Sequence, residues 1–159
     1  MILQLFTILG FTLIAFQDLK ERMVHWILFP IVGVLLAHTH FRNTDINFFL
    51  FSIGINLLTI SALLTILWAY TKFIKKNKFL NTSFGLGDIL FLYAFALGFP
   101  PLSFIVLLAS SICFSLLAFV ILNYFKKEET VPLAGFMGIF LGTILILNLL
   151  TNSFSLYLM

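Results

Sequence analysis

The chain carries very little charge for its length. Charged residues make up 9% of its 159 residues, whereas 62% are hydrophobic and the mean hydropathy is +1.15. A soluble domain carries about 25% charged residues, so this composition excludes an ordinary soluble fold and is typical of an integral membrane protein. No polar stretch approaches the roughly 50 residues that a separate soluble domain needs. We therefore expect a single membrane-embedded domain over residues 1–159.

Cysteine is scarce as well. Cys113 is the one cysteine and lies inside an apolar run, which excludes an internal disulfide and any site built from several thiolates. His38 and His40 are two residues apart, so they point to different sides of a helix. We expect no metal ion and no cofactor. The net charge of +3 comes from short clusters between apolar runs, which indicates orientation in a membrane rather than a nucleic-acid partner.

The first apolar run lacks the basic segment and the small-residue cleavage site of a secretory signal, so we expect it to be a retained helix. A membrane-spanning helix needs about 20 mainly apolar residues, with a range of about 17 to 25. The sequence therefore predicts an all-α polytopic membrane protein with six transmembrane helices, at approximately residues 1–17, 24–41, 46–71, 84–99, 101–125 and 131–158.

The loops between these runs differ in their basic residues. The second and fourth loops carry only Arg42, whereas the first, third and fifth carry Lys20, Arg22, Lys72, Lys75, Lys76, Lys78, Lys126 and Lys127. By the positive-inside rule, the odd-numbered loops face the cytoplasm and both termini lie outside. We expect a multi-pass protein of the cytoplasmic membrane.

Two of the six acidic residues lie at the ends of predicted spans rather than in loops: Asp18 at the exit of the first span and Asp88 at the start of the fourth. An aspartate at the centre of a membrane helix costs about 2.5 to 3.5 kcal/mol and usually marks function. Both residues fall on the predicted cytoplasmic side. Two carboxylates at one depth can share a proton, one acting as acid and the other as base, which is how an aspartic protease activates water.

Gly85 and Gly87 precede Asp88 and would permit close approach of a substrate backbone. The same two carboxylates could also serve a small proton- or ion-coupled transporter, or remain in a non-catalytic assembly factor. A transporter needs a polar path to the outer face, and the polar residues available for one are few: Asn56, Thr59, Ser61, Thr65, Ser110, Ser111 and Ser115. This scarcity favours the protease.

Three motifs in this order resemble the type IV prepilin peptidase and preflagellin peptidase family, the GxGD membrane aspartic proteases. They are "DLKERMVHW" after the first span, "GLGD" at the start of the fourth and "VPLAG" at the start of the last. The resemblance implies that Asp18 and Asp88 are the catalytic aspartates. It also implies a site lined by Pro132, Leu133, Ala134 and Gly135, and leader removal from pilin, pseudopilin or archaellin precursors at the cytoplasmic face.

The sequence departs from this family's usual pattern at two positions. His25 follows Val24 where proline is usual, and Leu90 stands where a basic residue is common. The cysteine-bearing insert that relatives with N-methyltransferase activity carry is missing between the first two spans, so we expect peptidase activity alone. Because leaders in this family are basic, the acidic residues Glu21, Glu128 and Glu129 are expected to attract the substrate.

Overall fold

The computed structural model describes residues 2–75, 85–125, 131–151 and 157. Every regular element in these ranges is helical. The α-helices, in chain order, are α1 (Ile2–Glu21), α2 (Leu28–Asn43), α3 (Ile46–Tyr70), α4 (Leu86–Ala96), α5 (Pro101–Phe125) and α6 (Leu133–Thr151). A π-helical turn, Thr71–Lys75, continues α3. The predicted all-α fold class is confirmed for this part of the chain.

Four of the helices, α1, α3, α5 and α6, are long and apolar enough to cross a bilayer. They indicate a membrane protein. The other two are shorter, with 16 residues in α2 and 11 in α4. At a rise of about 1.5 Å per residue, α4 extends only about 16 Å, roughly half of a 30 Å hydrocarbon core.

The short helix α4 lies in the interior of the bundle. It packs against α2, α3 and α6, and most of its second half is buried, including Phe91, Leu92 and Phe95. Phe95 also contacts the rings of Phe99 and Phe104, with centroids 5.6 and 5.1 Å away. Because protein surrounds it, α4 can be short without exposing its backbone to lipid.

Helices α1 and α6 form the most extensive pair in the bundle, and small residues let them approach. A Cβ placed on Gly138 would lie 3.3 Å from the Phe11 carbonyl oxygen, and one on Gly142 would lie 3.8 Å from the Phe11 Cβ. The spacing of these two glycines is the small-xxx-small pattern of close helix packing. This contact holds the start of α6 beside the end of α1.

Several helix boundaries differ from the sequence expectation. Helix α1 continues to Glu21, so Asp18 lies in its last turn rather than after it. Lys20 favours this extension because a cation near a helix C-terminus interacts well with the helix dipole. Helix α2 begins at Leu28, which leaves residues 22–27 as a connection. Helix α4 ends at Ala96, ahead of the turn that leads to Pro101, the first residue of α5.

The end of α4 lies inside the protein, where its last carbonyl groups need donors. The Asn56 side-chain amide donates to the carbonyl oxygens of Ala96 (2.9 Å) and Phe99 (2.8 Å). The buried His40 ring donates through Nδ1–H to the carbonyl oxygen of Leu97 (3.2 Å). Both side chains belong to neighbouring helices, so they fix the far end of α4 and thereby its register in the bundle.

Substitution of Asn56 by leucine is expected to destabilise the protein, because two interior carbonyl groups lose their donor. Leaving buried polar groups unpaired costs about 1–3 kcal/mol each. We expect an apparent melting temperature in detergent several degrees below that of the native chain, measured by tryptophan fluorescence. Asn47→Leu, at an exposed position of the same helix, is the matched control. Equal melting temperatures for the two variants would contradict this role of Asn56.

Candidate functional site

Three helix ends meet at one end of the bundle: the C-terminus of α1 and the N-termini of α4 and α6. Here the Gly135 N–H donates to Asp18 Oδ2 (2.6 Å), and the Ala134 N–H donates to Asp88 Oδ1 (2.9 Å). Neighbouring Cα atoms of a chain are about 3.8 Å apart, so consecutive amide groups hold the two carboxyl groups side by side. The two residues predicted from the sequence as a catalytic pair thus meet in the structure, and we call them the aspartate pair.

The first turn of α6 has backbone amide groups that are free to donate hydrogen bonds to the aspartate pair. Pro132 precedes the helix and has no N–H, and the first intrahelical bond runs from the Phe136 N–H to the Pro132 carbonyl oxygen (3.1 Å). The amides of Ala134 and Gly135 therefore have no acceptor within α6. The helix dipole places partial positive charge at this end, which favours negative charge on the aspartate pair.

Asp88 belongs to the first turn of α4, and its side chain bends back toward the start of that helix. It accepts a hydrogen bond from the Gly85 backbone, as the acidic residue of a helix-capping arrangement does. The Asp88 Oδ1 atom accepts from the Ala134 N–H. The Asp88 side chain thus ties the beginning of α4 to the beginning of α6.

The glycines of the predicted site differ in how much room surrounds them. A Cβ on Gly135 would lie 3.0 Å from Asp18 Oδ2 and 3.1 Å from Asp18 Cβ, and one on Gly85 would lie 3.0 Å from Asp88 Oδ2. A Cβ on Gly87 would meet only the Phe29 ring, at an ordinary 3.5 Å. A side chain would therefore press against an aspartate at Gly85 and at Gly135, and not at Gly87.

The aspartate pair is neither sealed in the core nor fully exposed. Asp18 and Asp88 are both partly accessible, whereas Pro132, Ala134 and Gly135 behind them are buried. Leu133 is partly exposed at the rim of the site. A substrate could therefore reach the carboxyl groups from the end of the bundle while α6 supports them from behind.

Charged groups around the pair are distributed unevenly. The Asp18 carboxylate interacts electrostatically with Arg22, which follows α1. The Asp88 carboxyl interacts electrostatically with Asp18. Of the three glutamates predicted to attract a substrate, Glu21 is exposed at the end of α1, and Glu128 and Glu129 lie outside the described residues.

Sequence reasoning missed one feature beside the pair, a clamp between Gln17 and His25. Gln17 Oε1 accepts the His25 backbone N–H (3.0 Å) and lies 3.2 Å from His25 Nδ1. In the sequence, only the position of Gln17 directly before Asp18 could have indicated a role for it beside the pair. His25, which stands where the resembled family usually has proline, contacts Gln17 and is exposed to solvent.

The described part of the chain contains no cluster of three or more histidine, cysteine, aspartate or glutamate residues that could hold a metal ion. Comparison of the chain with protein-family models, with curated proteins and with solved structures returns no match. The chemistry assigned to this site therefore depends on the motifs of the sequence and on the geometry of the aspartate pair.

Proposed function

We propose that the protein is a membrane aspartic endopeptidase in which Asp18 and Asp88 carry out the hydrolysis. The observation that carries the proposal is the attachment of both carboxyl groups to the consecutive amides of Ala134 and Gly135. Residues from α1 and α4 meet there, and two neighbouring carboxyl groups can supply the acid and the base that hydrolysis of a peptide bond needs.

The reaction follows from two adjacent carboxyl groups that share one proton. The ionised carboxylate takes a proton from a water molecule while the water oxygen attacks the carbonyl carbon of the peptide bond. The protonated partner gives its proton to the carbonyl oxygen, which forms a tetrahedral gem-diol. When this intermediate collapses, the C–N bond breaks and the leaving nitrogen takes the proton from the protonated member of the pair. A gem-diol hydroxyl gives its proton to the ionised member, so that free carboxylic acid and amine result and the pair again holds one proton.

The proposed substrate is a type IV prepilin-like precursor: a pilin, pseudopilin or archaellin with a short leader. This choice rests on the resemblance of "GLGD", "DLKERMVHW" and "VPLAG" to the prepilin peptidase family. In the proposed topology all six helices lie in the cytoplasmic membrane, and both termini lie outside. The aspartate pair then faces the cytoplasm, because it is at the end of α1 where the basic residues Lys20 and Arg22 lie.

An ion-coupled transporter would use the same carboxyl groups but would need a path beyond them. Instead, large apolar side chains are buried along α4, which begins at the aspartate pair, and beyond its far end. They form an apolar layer that includes Phe91, Phe95, Phe99, Phe104 and Met137. Such a layer disfavours passage of a hydrated ion, since charged groups in an apolar environment lose their hydration. The protease therefore accounts better for this arrangement.

The proposal is tested by co-expressing the protein with a precursor that carries a short basic leader ending in glycine ahead of an apolar helix. We expect leader removal, seen as a mobility shift and as a new N-terminus by mass spectrometry. Precursor alone is the control. Intact precursor across a panel of such substrates, together with ion-driven uptake by the reconstituted protein, would overturn the protease in favour of the transporter.

A further inference from the structure

Arg22 has an unusual backbone conformation next to the aspartate pair. Its φ is 56°, and it is the one residue other than glycine with positive φ in the described part of the chain. This left-handed conformation costs a non-glycine residue about 1–2 kcal/mol, and glycine commonly occupies it directly after a helix. A long cationic side chain at this position therefore indicates a reason for arginine beyond the turn itself.

The chain around Arg22 is held at both sides. Before it, Asp18 is fixed in the last turn of α1 by the Gly135 amide. After it, His25 returns to Gln17 through its backbone N–H (3.0 Å) and its ring (Nδ1 to Oε1, 3.2 Å). The connection after α1 thus folds back on the last turn of that helix, and His25 meets Gln17 next to Asp18. Within this connection, the Arg22 guanidinium interacts with the Asp18 carboxylate.

The two carboxyl groups consequently face different charges. Asp18 faces the Arg22 cation, the Gly135 amide and the Asp88 carboxyl. Asp88 faces the amides of Ala134 and Gly85, and the charged group that acts on it within the described ranges is the Asp18 carboxylate. A nearby cation favours an ionised carboxyl group, and a nearby anion favours a protonated one.

We propose that Arg22 is a positioning residue that keeps Asp18 as the ionised member of the aspartate pair. Asp18 is then the base that takes the proton from water, and Asp88 is the acid that donates to the peptide carbonyl. Arg22 acts through Asp18 and does not touch the reacting atoms. This assignment rests on the proposed peptidase function.

The first test is the pH dependence of kcat/KM for leader removal in Arg22→Asn, Arg22→Lys and the native chain. Asparagine removes the charge and tolerates positive φ better than most residues, while lysine keeps the charge. Without the cation, Asp18 takes up a proton more readily, so the acidic limb of the profile should move to higher pH. Because Arg22 is exposed and screened by solvent, we expect activity on that limb to fall about two- to fivefold.

Arg22→Lys should retain the native profile. So should Arg42→Gln, which removes the other arginine of the chain, in the last turn of α2. Superimposable profiles for Arg22→Asn and the native chain would overturn the assignment. The assignment would also be overturned if the pH profile of Arg22→Lys shifted as far as that of Arg22→Asn. The shape of the arginine side chain, and not its charge, would then be responsible.

A second test needs no substrate. Asp18, Asp45 and Asp88 are the three aspartates of the chain, so Asp45→Asn/Asp88→Asn leaves Asp18 alone. Infrared absorption of this protein, labelled with carbon-13 aspartate, follows protonation of Asp18 directly. Adding Arg22→Asn should move its titration to higher pH, and an unmoved titration would overturn the proposal. If the native protein does not cleave any precursor, that result counts against the peptidase function. The infrared titration of Asp18 can still be interpreted in that case.

Discussion

Asp18→Asn and Asp88→Asn should each lower the rate of leader removal by a factor on the order of a thousand or more. General acid–base catalysis contributes about 10²- to 10⁴-fold, and in this site both halves of it depend on the pair. Asparagine is nearly isosteric with aspartate but cannot act as the base. Its side-chain oxygen can still accept the Gly135 or Ala134 amide proton, so both variants should insert and fold.

The matched control for these variants is Asp45→Asn. Asp45 precedes α3 at the far end of the bundle, is exposed and makes no side-chain cap to that helix. Its substitution should change the cleavage rate less than about twofold, since exposed positions away from a site contribute little. The assay is the mobility shift of a co-expressed precursor, with protein levels matched by immunoblot. Full cleavage by either catalytic variant would contradict the proposed chemistry.

Gly135→Ala should produce the next largest loss, although it adds only a methyl group. That methyl would lie 3.0 Å from Asp18 Oδ2 and 3.1 Å from Asp18 Cβ, so the Asp18 side chain must move. Misplacement of a catalytic group by about 1 Å can cost 10²-fold in rate. We expect cleavage to fall about 10- to 100-fold, measured as the initial rate of leader release by the purified protein in lipid vesicles.

Two other glycines serve as controls for this experiment. Gly87→Ala places its methyl at an ordinary 3.5 Å from the Phe29 ring, and Gly54→Ala meets nothing within 4 Å. Gly54→Ala should cleave at the native rate, and Gly87→Ala should lose less activity than Gly135→Ala, because neither displaces an aspartate. If Gly87→Ala lost activity and Gly135→Ala kept it, the close approach of Asp18 to α6 could not be the feature that supports catalysis.

Much of the helical pattern could be predicted from the sequence, because long apolar runs set it. Helices α3 and α5 lie almost where the hydropathy placed them. The lengths of α2 and α4 could not be predicted in this way. Apolar residues continue past the end of α4, and it stops at Ala96 where Asn56 and His40 supply donors from other helices. Hydropathy does not report such long-range hydrogen bonds.

The candidate site, like the fold, could be predicted from the sequence only in part. Asp18, Asp88 and the segment from Pro132 to Gly135 could be selected from the sequence because acidic residues are rare at the ends of apolar runs. That the Gly135 amide binds Asp18 depends on how α1 and α6 pack, and these residues are far apart in the chain. The difference between Gly85 and Gly87 has the same origin, since only the folded structure places an aspartate oxygen against one of them.

The central claim is that Asp18 and Asp88 act as one catalytic unit, and the double variant Asp18→Asn/Asp88→Asn tests it most directly. Its single-turnover cleavage rate should be compared with those of both single variants and the native protein, on one precursor in the same lipid vesicles. Residues that act as a unit fail together, so the double variant should be about as slow as either single variant. Losses that multiply in the double variant would contradict the account, because the two aspartates would then contribute independently.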